Sequence, residues 1–374
     1  MTRELPYDPG ARRDTPLALK LKERIRGDGR LRIDQYVEAC LHDASDGYYA
    51  GKAAIGAEAD FITAPEISQI FGELIGLWCA AVWEQMGSPP AFNLVEFGPG
   101  RGTLMKDALR AMNVRPKMKA AARAVLIETS TTLKKVQHEA LGGERVPVSW
   151  PQKLVYTAEP DLPAIFIGNE FLDTEPIEQF VRLENGWAVR CVGLDERGDL
   201  AFQTGNRCAP DVALMLDQRF AGARSGDICE IYSLDHNFVD ALLHRPIRFC
   251  ALLIDYGHTQ SAPGDTLQAV RGHRYEHPLT SPGEADVTAQ VDFAQIVEAL
   301  PARTVAVDGP ATQAEFLGRL GIIERASKLM SANPAKAGEI EAGVARLMAP
   351  GGMGTRFKVI GLRSPGLPAL PGFE

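Results

Sequence analysis

A glycine-rich loop carries the clearest chemical signal in the 374-residue sequence. Glu96 precedes this loop, and Gly98, Pro99, Gly100 and Gly102 form it. Glycine accepts a positive φ angle and lets a ligand approach the backbone without meeting a Cβ atom. Between a strand and a helix, such a turn directs backbone N–H groups into the cleft beyond the strand ends. We therefore predict that these five residues bind a cofactor.

The spacing of the glycines narrows the class of cofactor. A dinucleotide site is typically Gly-x-Gly-x-x-Gly, whereas Thr103 stands at the last of those positions here. No Lys-Ser or Lys-Thr pair follows, so the loop is not a phosphate-binding Walker loop. The acidic Glu96 suits a ligand with an amino group better than a pyrophosphate. S-adenosylmethionine carries such an ammonium group, together with a sulfonium.

A second carboxylate follows the next apolar run. Glu128 stands where a carboxylate can accept hydrogen bonds from both hydroxyls of a ribose. Ser149, or Trp150 beside it, is expected to contact the adenine. A lone glutamate after a strand also occurs as a solvated cap. The glycine loop and Glu128 in this order together favour an adenosine-type ligand.

An acidic loop follows a later apolar run. Its polar residues are Asn169, Glu170, Asp173, Glu175 and Glu178. In an open α/β sheet this position faces the same crevice as the glycine loop. Carboxylates there could bind the planar guanidinium of an arginine through paired hydrogen bonds and present one nitrogen to a methyl group. Acidic residues complementing the dipole of a helix N-terminus are an equally open alternative.

The elements that must position these loops are short apolar runs alternating with helical patterns. Continuous apolar runs of this kind are typical of buried parallel strands. The alternation predicts an α/β protein with a Rossmann-like sheet. Helical patterns at 104–112 and 133–141 follow the first two runs. The predicted strands are 92–97, 124–128, 146–150, 164–170, 249–254, 304–307 and 357–360.

Departures from this alternation predict the domain organisation. Residues 1–90 form a mainly helical region, in which Gly72 and Gly76 indicate close helix packing. An inserted, partly β segment interrupts the sheet and holds a hairpin whose turn is Asn185-Gly186. The predicted divisions are 1–90, the core at 91–176 and 246–362, the insertion at 177–245, and an irregular tail at 363–374.

Composition excludes several classes of protein. The net charge of -8 disfavours a nucleic-acid partner, which needs a basic face. The six cysteines are scattered without ligand-like clustering, so we predict reduced thiols and no metal site. The N-terminus lacks the apolar core of a signal peptide, and no apolar stretch is long enough to span a bilayer. We expect a cytoplasmic protein without stable membrane insertion.

Four blocks of sequence resemble the MidA family of S-adenosylmethionine-dependent methyltransferases. They are residues 60–72, 96–102, 169–173 and 282–293, and the likeness runs in order from about residue 30 to 362. The resemblance implies a class I methyltransferase fold. It also implies arginine methylation of the large, 49-kDa-type subunit of NADH dehydrogenase during complex I assembly.

The resemblance also implies roles for individual residues. Its cofactor loop corresponds to the glycine loop with Glu96 and Glu128, and its substrate side to Asn169, Glu170 and Asp173. Arginine methyltransferases in general use paired glutamates after the fourth strand, and by analogy Glu170 would pair with Glu178 or Glu175.

Three questions stay open at this level. A small-molecule methyltransferase, or a non-catalytic assembly chaperone, would share the fold, so the acceptor site has to decide. The oligomeric state is not encoded in any pattern we recognise. Asp286, Thr288 and Asp292 either line the cleft or belong to a helix cap, for which we favour Asp286 or Thr288.

Overall fold

The computed structural model describes residues 11–50, 62–151, 161–232 and 248–374. Asp60 and Phe61, from the first MidA-like block, lie outside the described residues, as does the predicted boundary at 245/246. The described helices are α1 Pro16–Asp28, α2 Ile33–His42, α3 Ala64–Ile67, α4 Gln69–Gln85, α5 Thr103–Ala111, α6 Pro116–Ala121, α7 Thr131–Leu141, α8 Pro210–Arg219, α9 Phe293–Ala299, α10 Gln313–Arg319, α11 Ile322–Ala332, α12 Ala337–Met348 and α13 Met353–Arg356.

Strands dominate the middle of the chain. The described strands are β1 Leu31–Arg32, β2 Phe92–Phe97, β3 Ala122–Ile127, β4 Val148–Ser149, β5 Ala164–Asn169, β6 Ile177–Leu183, β7 Gly186–Leu194, β8 Leu200–Arg207, β9 Ile228–Tyr232, β10 Phe249–His258, β11 Gln268–Arg271, β12 Arg274–Glu276, β13 Asp286–Thr288, β14 Val291–Asp292, β15 Ala306–Thr312 and β16 Phe357–Arg363.

The contacts divide the chain into two compact units. The parallel-sheet unit comprises residues 62–151, 161–172, 248–259 and 297–374 of the described chain. The antiparallel-sheet unit comprises the described residues 11–50, 173–232 and 260–296. The domain boundaries expected from the sequence stay a prediction.

The parallel-sheet unit is built on strands in the order β15-β16-β10-β5-β2-β3-β4. Neighbours from β10 to β4 are parallel, while β16 runs antiparallel to both β10 and β15. After β2 the chain adds β3 and β4 on one side, and after β4 it returns to add β5 and β10 on the other. The strand order therefore reverses between β2 and β5, which is where open α/β sheets bind ligands.

Burial explains why the sequence pattern identified this sheet. Every residue of β2 and of β5 is buried, as expected for central strands covered on both faces. Each of the seven predicted runs overlaps a strand of this sheet, and α5 and α7 follow β2 and β3. The predicted α/β class with a Rossmann-like sheet is confirmed.

Helix α4 lies unusually close to α5. A Cβ atom on Gly76 would lie 2.5 Å from the carbonyl oxygen of Ala108, and one on Gly72 would lie 2.6 Å from Cβ of Asp107. Both distances are shorter than real Cβ contacts, so only glycine permits this approach. The close packing predicted from these two glycines is confirmed.

The antiparallel-sheet unit contains a sheet in the order β1-β7-β6-β9, with β8 also paired to β7. Helix α8 covers it through a small apolar cluster around Trp187 and Leu216. The predicted hairpin is β6–β7, but its turn lies one residue earlier than predicted. Leu183 pairs with Gly186, so Glu184 and Asn185 form the turn, and Gly186 begins the strand with a φ of 93°.

A second correction concerns the cap of α9. The Oδ1 atom of Asp292 accepts hydrogen bonds from the backbone N–H groups of Ala294 at 3.0 Å and Gln295 at 3.1 Å. Asp286 and Thr288 lie in β13, paired with β11. The cap therefore belongs to Asp292, because a capping side chain must directly precede the helix whose N–H groups it accepts.

Candidate functional site

The glycine loop connects the end of β2 to the start of α5. Gly98, Gly100 and Gly102 have φ angles of 56°, 52° and 78°, a region that L side chains rarely adopt. The loop closes through a hydrogen bond from the Gly102 N–H to the Pro99 carbonyl at 2.8 Å. A Cβ atom on Gly100 would meet no atom within 4 Å, so open space lies beside the backbone here. That space is available to a ligand only while residue 100 has no side chain.

Glu96 is buried on β2 immediately before this loop. Its carboxylate accepts a hydrogen bond from the backbone N–H of Met105 in α5, and burial raises its pKa to about 8. Among the described residues, its Oε2 atom has no hydrogen-bond partner. A buried carboxylate oxygen without a donor costs free energy until a donor reaches it. This orphaned oxygen fits a ligand that brings a positively charged N–H group.

Gln137 of α7 joins the glycine loop to Glu128. Its Nε2 atom donates to the carbonyl of Gly100 at 2.7 Å and to Oε2 of Glu128 at 3.1 Å. Oε1 of Glu128 accepts the backbone N–H of Ser130 at 2.7 Å. Burial raises the pKa of Glu128, and its hydrogen bonds act against that rise. The structure thus brings the two cofactor-binding segments predicted from the sequence into one network.

Trp150 belongs to the same network, whereas Ser149 does not. The Trp150 indole Nε1 donates to Oε1 of Gln137 at 2.7 Å, and its ring stacks on His138 with centroids 3.6 Å apart. Ser149 is exposed, and its hydroxyl donates to the Ala124 carbonyl at 3.5 Å. Of the two residues considered for adenine contact, Trp150 is the one linked to Glu128.

The acidic loop begins at the end of β5, beside the glycine loop. Phe97 pairs with Gly168 in the sheet, so Gly98 and Asn169 follow at the ends of neighbouring strands. A Cβ atom on Gly98 would lie 3.3 Å from the Phe171 ring. The two loops predicted to carry cofactor and acceptor are therefore in contact.

Glu170 has an unusual backbone for a residue with a side chain. Its φ angle is 51°, a strained conformation of the kind that clusters at functional sites. Its Oε1 atom accepts the backbone N–H of Ala64 at 2.8 Å and the Nδ2 group of Asn169 at 3.2 Å. The Oδ1 atom of Asn169 is buried and has no donor within the part of the chain that the structure describes. The loop thus presents a carboxylate and an amide oxygen, which suits a ligand rich in N–H donors.

A buried aspartate holds the backbone of this loop. Oδ2 of Asp255 accepts the N–H groups of Phe171 at 3.1 Å and Leu172 at 2.8 Å. Its Oδ1 atom accepts the N–H of Tyr256 at 2.9 Å. Asp255 is fully buried within β10, directly after the apolar residues 249–254. An acidic residue that ends an apolar run was the sequence signal for this residue, although its role was not predicted.

Helix α3 contacts both loops. Its first residue, Ala64, donates to Glu170, while Glu66 accepts a hydrogen bond from the Thr103 hydroxyl at the start of α5. The Glu66 carboxylate also lies 4.0 Å from the guanidinium of Arg101 in the glycine loop. No local sequence pattern indicated this arrangement.

The remaining predicted acidic residues belong to the antiparallel-sheet unit. The carbonyl of Asp173 accepts the Ala289 N–H at 3.3 Å, and Glu178 lies 3.5 Å from the guanidinium of Arg32. Glu175 is also part of this unit. Glu178 faces a cation of its own unit, and its pairing with Glu170 stays a prediction.

The described ranges contain neither a metal-binding cluster nor a membrane-spanning helix. No group of three or more His, Cys, Asp and Glu side chains there could hold a metal ion. No helix in the same ranges is long and apolar enough to cross a membrane.

Comparison with known proteins identifies related sequences along most of the chain. The family model for S-adenosyl-L-methionine-dependent methyltransferases matches residues 74–311. The mitochondrial protein arginine methyltransferase NDUFAF7 of Danio rerio is 33% identical, over 90% of this chain and 84% of its own. The Homo sapiens protein of the same name is 30% identical, over 95% and 85%.

A solved structure shares the fold over nearly the whole chain. A protein from Burkholderia thailandensis, crystallised with bound S-adenosyl-homocysteine, superposes with a TM-score of 0.82 at 25% identity. The match covers 95% of this chain and 93% of that protein.

Proposed function

The chain belongs to a family of S-adenosyl-L-methionine-dependent methyltransferases, and from this premise we propose that it methylates arginine side chains of a protein. The observation that carries the proposal is the pair of acceptors at the start of the acidic loop. Glu170 supplies a carboxylate, and Asn169 supplies a buried amide oxygen to which no described residue donates. Arginine offers five N–H donors in a rigid plane, which matches such a pair.

The cofactor is S-adenosylmethionine, and we propose that the glycine loop, Glu96, Glu128 and Trp150 hold it. The orphaned Oε2 of Glu96 would accept an N–H of its ammonium group, and the open space beside Gly100 would admit its chain. Glu128 would accept the ribose hydroxyls. When bound, the cofactor supplies a methyl group on a sulfonium that departs as a neutral thioether.

The residues of the acidic loop would position the acceptor nitrogen. The carboxylate of Glu170 would pair with the guanidinium and draw its positive charge toward the paired nitrogens, which leaves another nitrogen to attack the methyl group. The nitrogen–carbon bond forms as the sulfur–carbon bond breaks, and the attacking nitrogen loses its proton to water. The amides of Ala64 and Asn169 fix Oε1 of Glu170, and Asp255 fixes the backbone that follows. Alignment of two reacting groups in this way is a major source of rate enhancement.

The resemblance to MidA proteins favours one acceptor in particular. We propose the large, 49-kDa-type subunit of NADH dehydrogenase, methylated during complex I assembly. An arginine methyltransferase named NDUFAF7 at about a third identity supports a protein acceptor of this kind.

Mass spectrometry of that subunit tests the proposal. The purified large subunit is incubated with this protein and S-adenosylmethionine, then analysed intact and as peptides. We expect a mass gain on an arginine that is absent when Gly100→Val or Glu170→Gln replaces the wild-type enzyme. No gain, with S-adenosyl-homocysteine still bound in calorimetry, would reject this acceptor and direct the search to small molecules. If wild type and Glu170→Gln support complex I assembly equally well, the protein would instead act as a non-catalytic chaperone.

A further inference from the structure

We propose that Gln137 is the positioning residue for the nucleoside half of the cofactor, holding Glu128 for a ribose diol and Trp150 for an adenine ring. This inference rests on the proposed roles of Glu128 and Trp150. It adds a residue with no part in the glycine loop, placed by the tertiary structure between three separate segments.

The hydrogen-bonding capacity of the Gln137 amide matches its surroundings. Its two N–H groups go to Gly100 and Glu128, and its oxygen accepts from Trp150. If the amide were rotated by 180°, its oxygen would face the Gly100 carbonyl and the Glu128 carboxylate, which are both acceptors. Its NH2 group would face the Trp150 indole N–H, which is a donor. One orientation therefore satisfies all three partners, and the side chain is fully buried in it.

Core packing alone does not account for a glutamine here. The buried residues of α7 are Leu133, Gln137 and Leu141, spaced at four residues along one face. A leucine at 137 would continue that apolar face and bury no polar group. Glutamine forms hydrogen bonds with partners outside the helix, although it buries a polar group where leucine would not.

The geometry around Glu128 identifies the ligand class. The Ser130 N–H donates to Oε1 and Gln137 donates to Oε2, and the backbone N–H of Thr129 also interacts with the carboxylate. An ionised carboxylate offers about four lone-pair sites, so these contacts leave capacity for a ligand hydroxyl. Two adjacent hydroxyls of a ribose match two oxygens held this way.

The aromatic side of the network is fixed by the same residue. Trp150 is held at its edge by Gln137 and over its ring by His138, so the indole has two independent restraints. Loss of Gln137 would remove one restraint from the ring and one from the carboxylate together, while His138 and Ser130 keep theirs. The effect should therefore appear in the binding of the nucleoside, whether or not the methionine half is attached.

Calorimetric titration with two ligands tests this inference. S-adenosyl-homocysteine and adenosine are each titrated into the wild type, Gln137→Leu and Gln313→Leu. Gln313 is the matched control, because it is also fully buried in the parallel-sheet unit but donates only to the Leu347 carbonyl. We expect Gln137→Leu to weaken both ligands by a similar factor of roughly 10 to 100, and Gln313→Leu to bind like wild type.

A second variant keeps the test informative if Gln137→Leu does not fold. In Gln137→Glu an ionised side chain would face Glu128 and the Gly100 carbonyl, so affinity should fall at pH 8 and recover toward pH 6 as it takes up a proton. Lys134 and His138 are the other titratable groups nearby on α7. Both are present in the wild type, which is titrated at each pH as the reference.

Three results would overturn the inference. Wild-type adenosine affinity in Gln137→Leu would show that Gln137 does not serve the nucleoside. Weakening of S-adenosyl-homocysteine alone would assign Gln137 to the glycine loop. A pH profile of Gln137→Glu parallel to wild type would show that its contacts with Glu128 and Gly100 do not matter. Failure of the wild type to bind either ligand would instead reject the proposed cofactor site.

Discussion

The proposed cofactor side and the proposed acceptor side of the sheet edge are held in different ways. On the cofactor side, Gln137 links Gly100, Glu128 and Trp150 chiefly through side chains of separate segments. On the acceptor side, the buried carboxylate of Asp255 receives backbone N–H groups. One side is thus a side-chain network, and the other is a backbone conformation fixed by one charge.

This difference predicts that binding and transfer can be separated by mutation. A change within the network should weaken cofactor affinity, because several partners lose their positions together. A change of the Glu170 side chain should leave the loop in place, since the backbone there is held by Asp255. Substitutions at Glu170, Gly100, Asp255 and Glu96 test that separation.

Glu170→Gln should remove most methyl transfer and leave cofactor binding intact. Glutamine can still accept the Ala64 N–H, but it carries no charge to pair with a guanidinium. Loss of one well-placed electrostatic group lowers turnover by roughly 100- to 1,000-fold. Single-turnover transfer and calorimetry with S-adenosyl-homocysteine measure the two effects. The exposed Glu341→Gln is the control, and normal transfer by Glu170→Gln would contradict the role of this loop.

Gly100→Val should produce the opposite pattern, with loss of cofactor affinity first. Valine is strained at a φ of 52°, and its side chain would fill the open space beside the loop. We expect S-adenosyl-homocysteine affinity to fall by roughly 100-fold, which corresponds to about 2.7 kcal/mol. Calorimetry and thermal unfolding distinguish lost binding from lost folding.

The control for Gly100→Val is Gly338→Ala in α12. A Cβ atom at Gly338 also meets nothing within 4 Å, but this glycine does not have a positive φ. Unchanged affinity in Gly100→Val would contradict the assignment of the glycine loop.

Asp255→Asn should reduce transfer by a smaller factor. The NH2 group of the new asparagine can face a backbone N–H group, and two donors cannot form a hydrogen bond. The loop that carries Glu170 should therefore be held less firmly. We expect roughly tenfold slower transfer with unchanged cofactor affinity, and a stability loss of about 1–3 kcal/mol. Measured kcat and KM, together with urea unfolding, report both effects.

The matched control is Asp308→Asn, which removes the partly buried ion pair with Arg363 in the same sheet. It should lower stability without slowing transfer. Equal slowing in both variants would show that Asp255 acts through general stability, and not by positioning Glu170.

The smallest expected effect is the release of a proton from Glu96 when the ligand binds. Burial raises its pKa to about 8, so at pH 7 it is mostly protonated before ligand binds. An approaching ammonium favours the ionised form and lowers that pKa, so binding should release up to one proton. Calorimetry in buffers of different ionisation enthalpy measures this release. Adenosine, which lacks the ammonium, should release none, and neither should Glu96→Gln.

The raised pKa of Glu96 also affects the stability of the protein without ligand. A raised carboxyl pKa means that the folded state binds a proton more tightly than the unfolded state. Its contribution to stability is therefore complete below the ordinary pKa of 4.5 and is lost as pH rises toward about 8. Stability should decline over that interval in the wild type, and less steeply in Glu96→Gln. Equal slopes would show that Glu96 is ionised in the folded protein.

Much of the fold was accessible from the sequence because central parallel strands need continuous apolar residues. β2 and β5 are buried at every position and apolar at most of them, so their positions followed from the apolar runs in the sequence. The hairpin was predicted as well, but its turn was misplaced, because a glycine with positive φ fits either the turn or the first strand position. Local patterns give elements more reliably than the hydrogen-bond register between them.

In the candidate site, too, some features follow from local sequence patterns and others only from packing. The glycine loop could be predicted from the sequence because positive φ favours glycine. The placement of Glu96, Glu128 and Glu170 near the carboxyl ends of strands could also be predicted, because parallel strands end at one edge of a sheet. Only the tertiary structure decided that Gln137 joins three segments, that Asp255 holds the acidic loop, and that Ala64 reaches Glu170. These partners are far apart in the chain, and a hydrogen bond between them depends on packing geometry that no local pattern encodes.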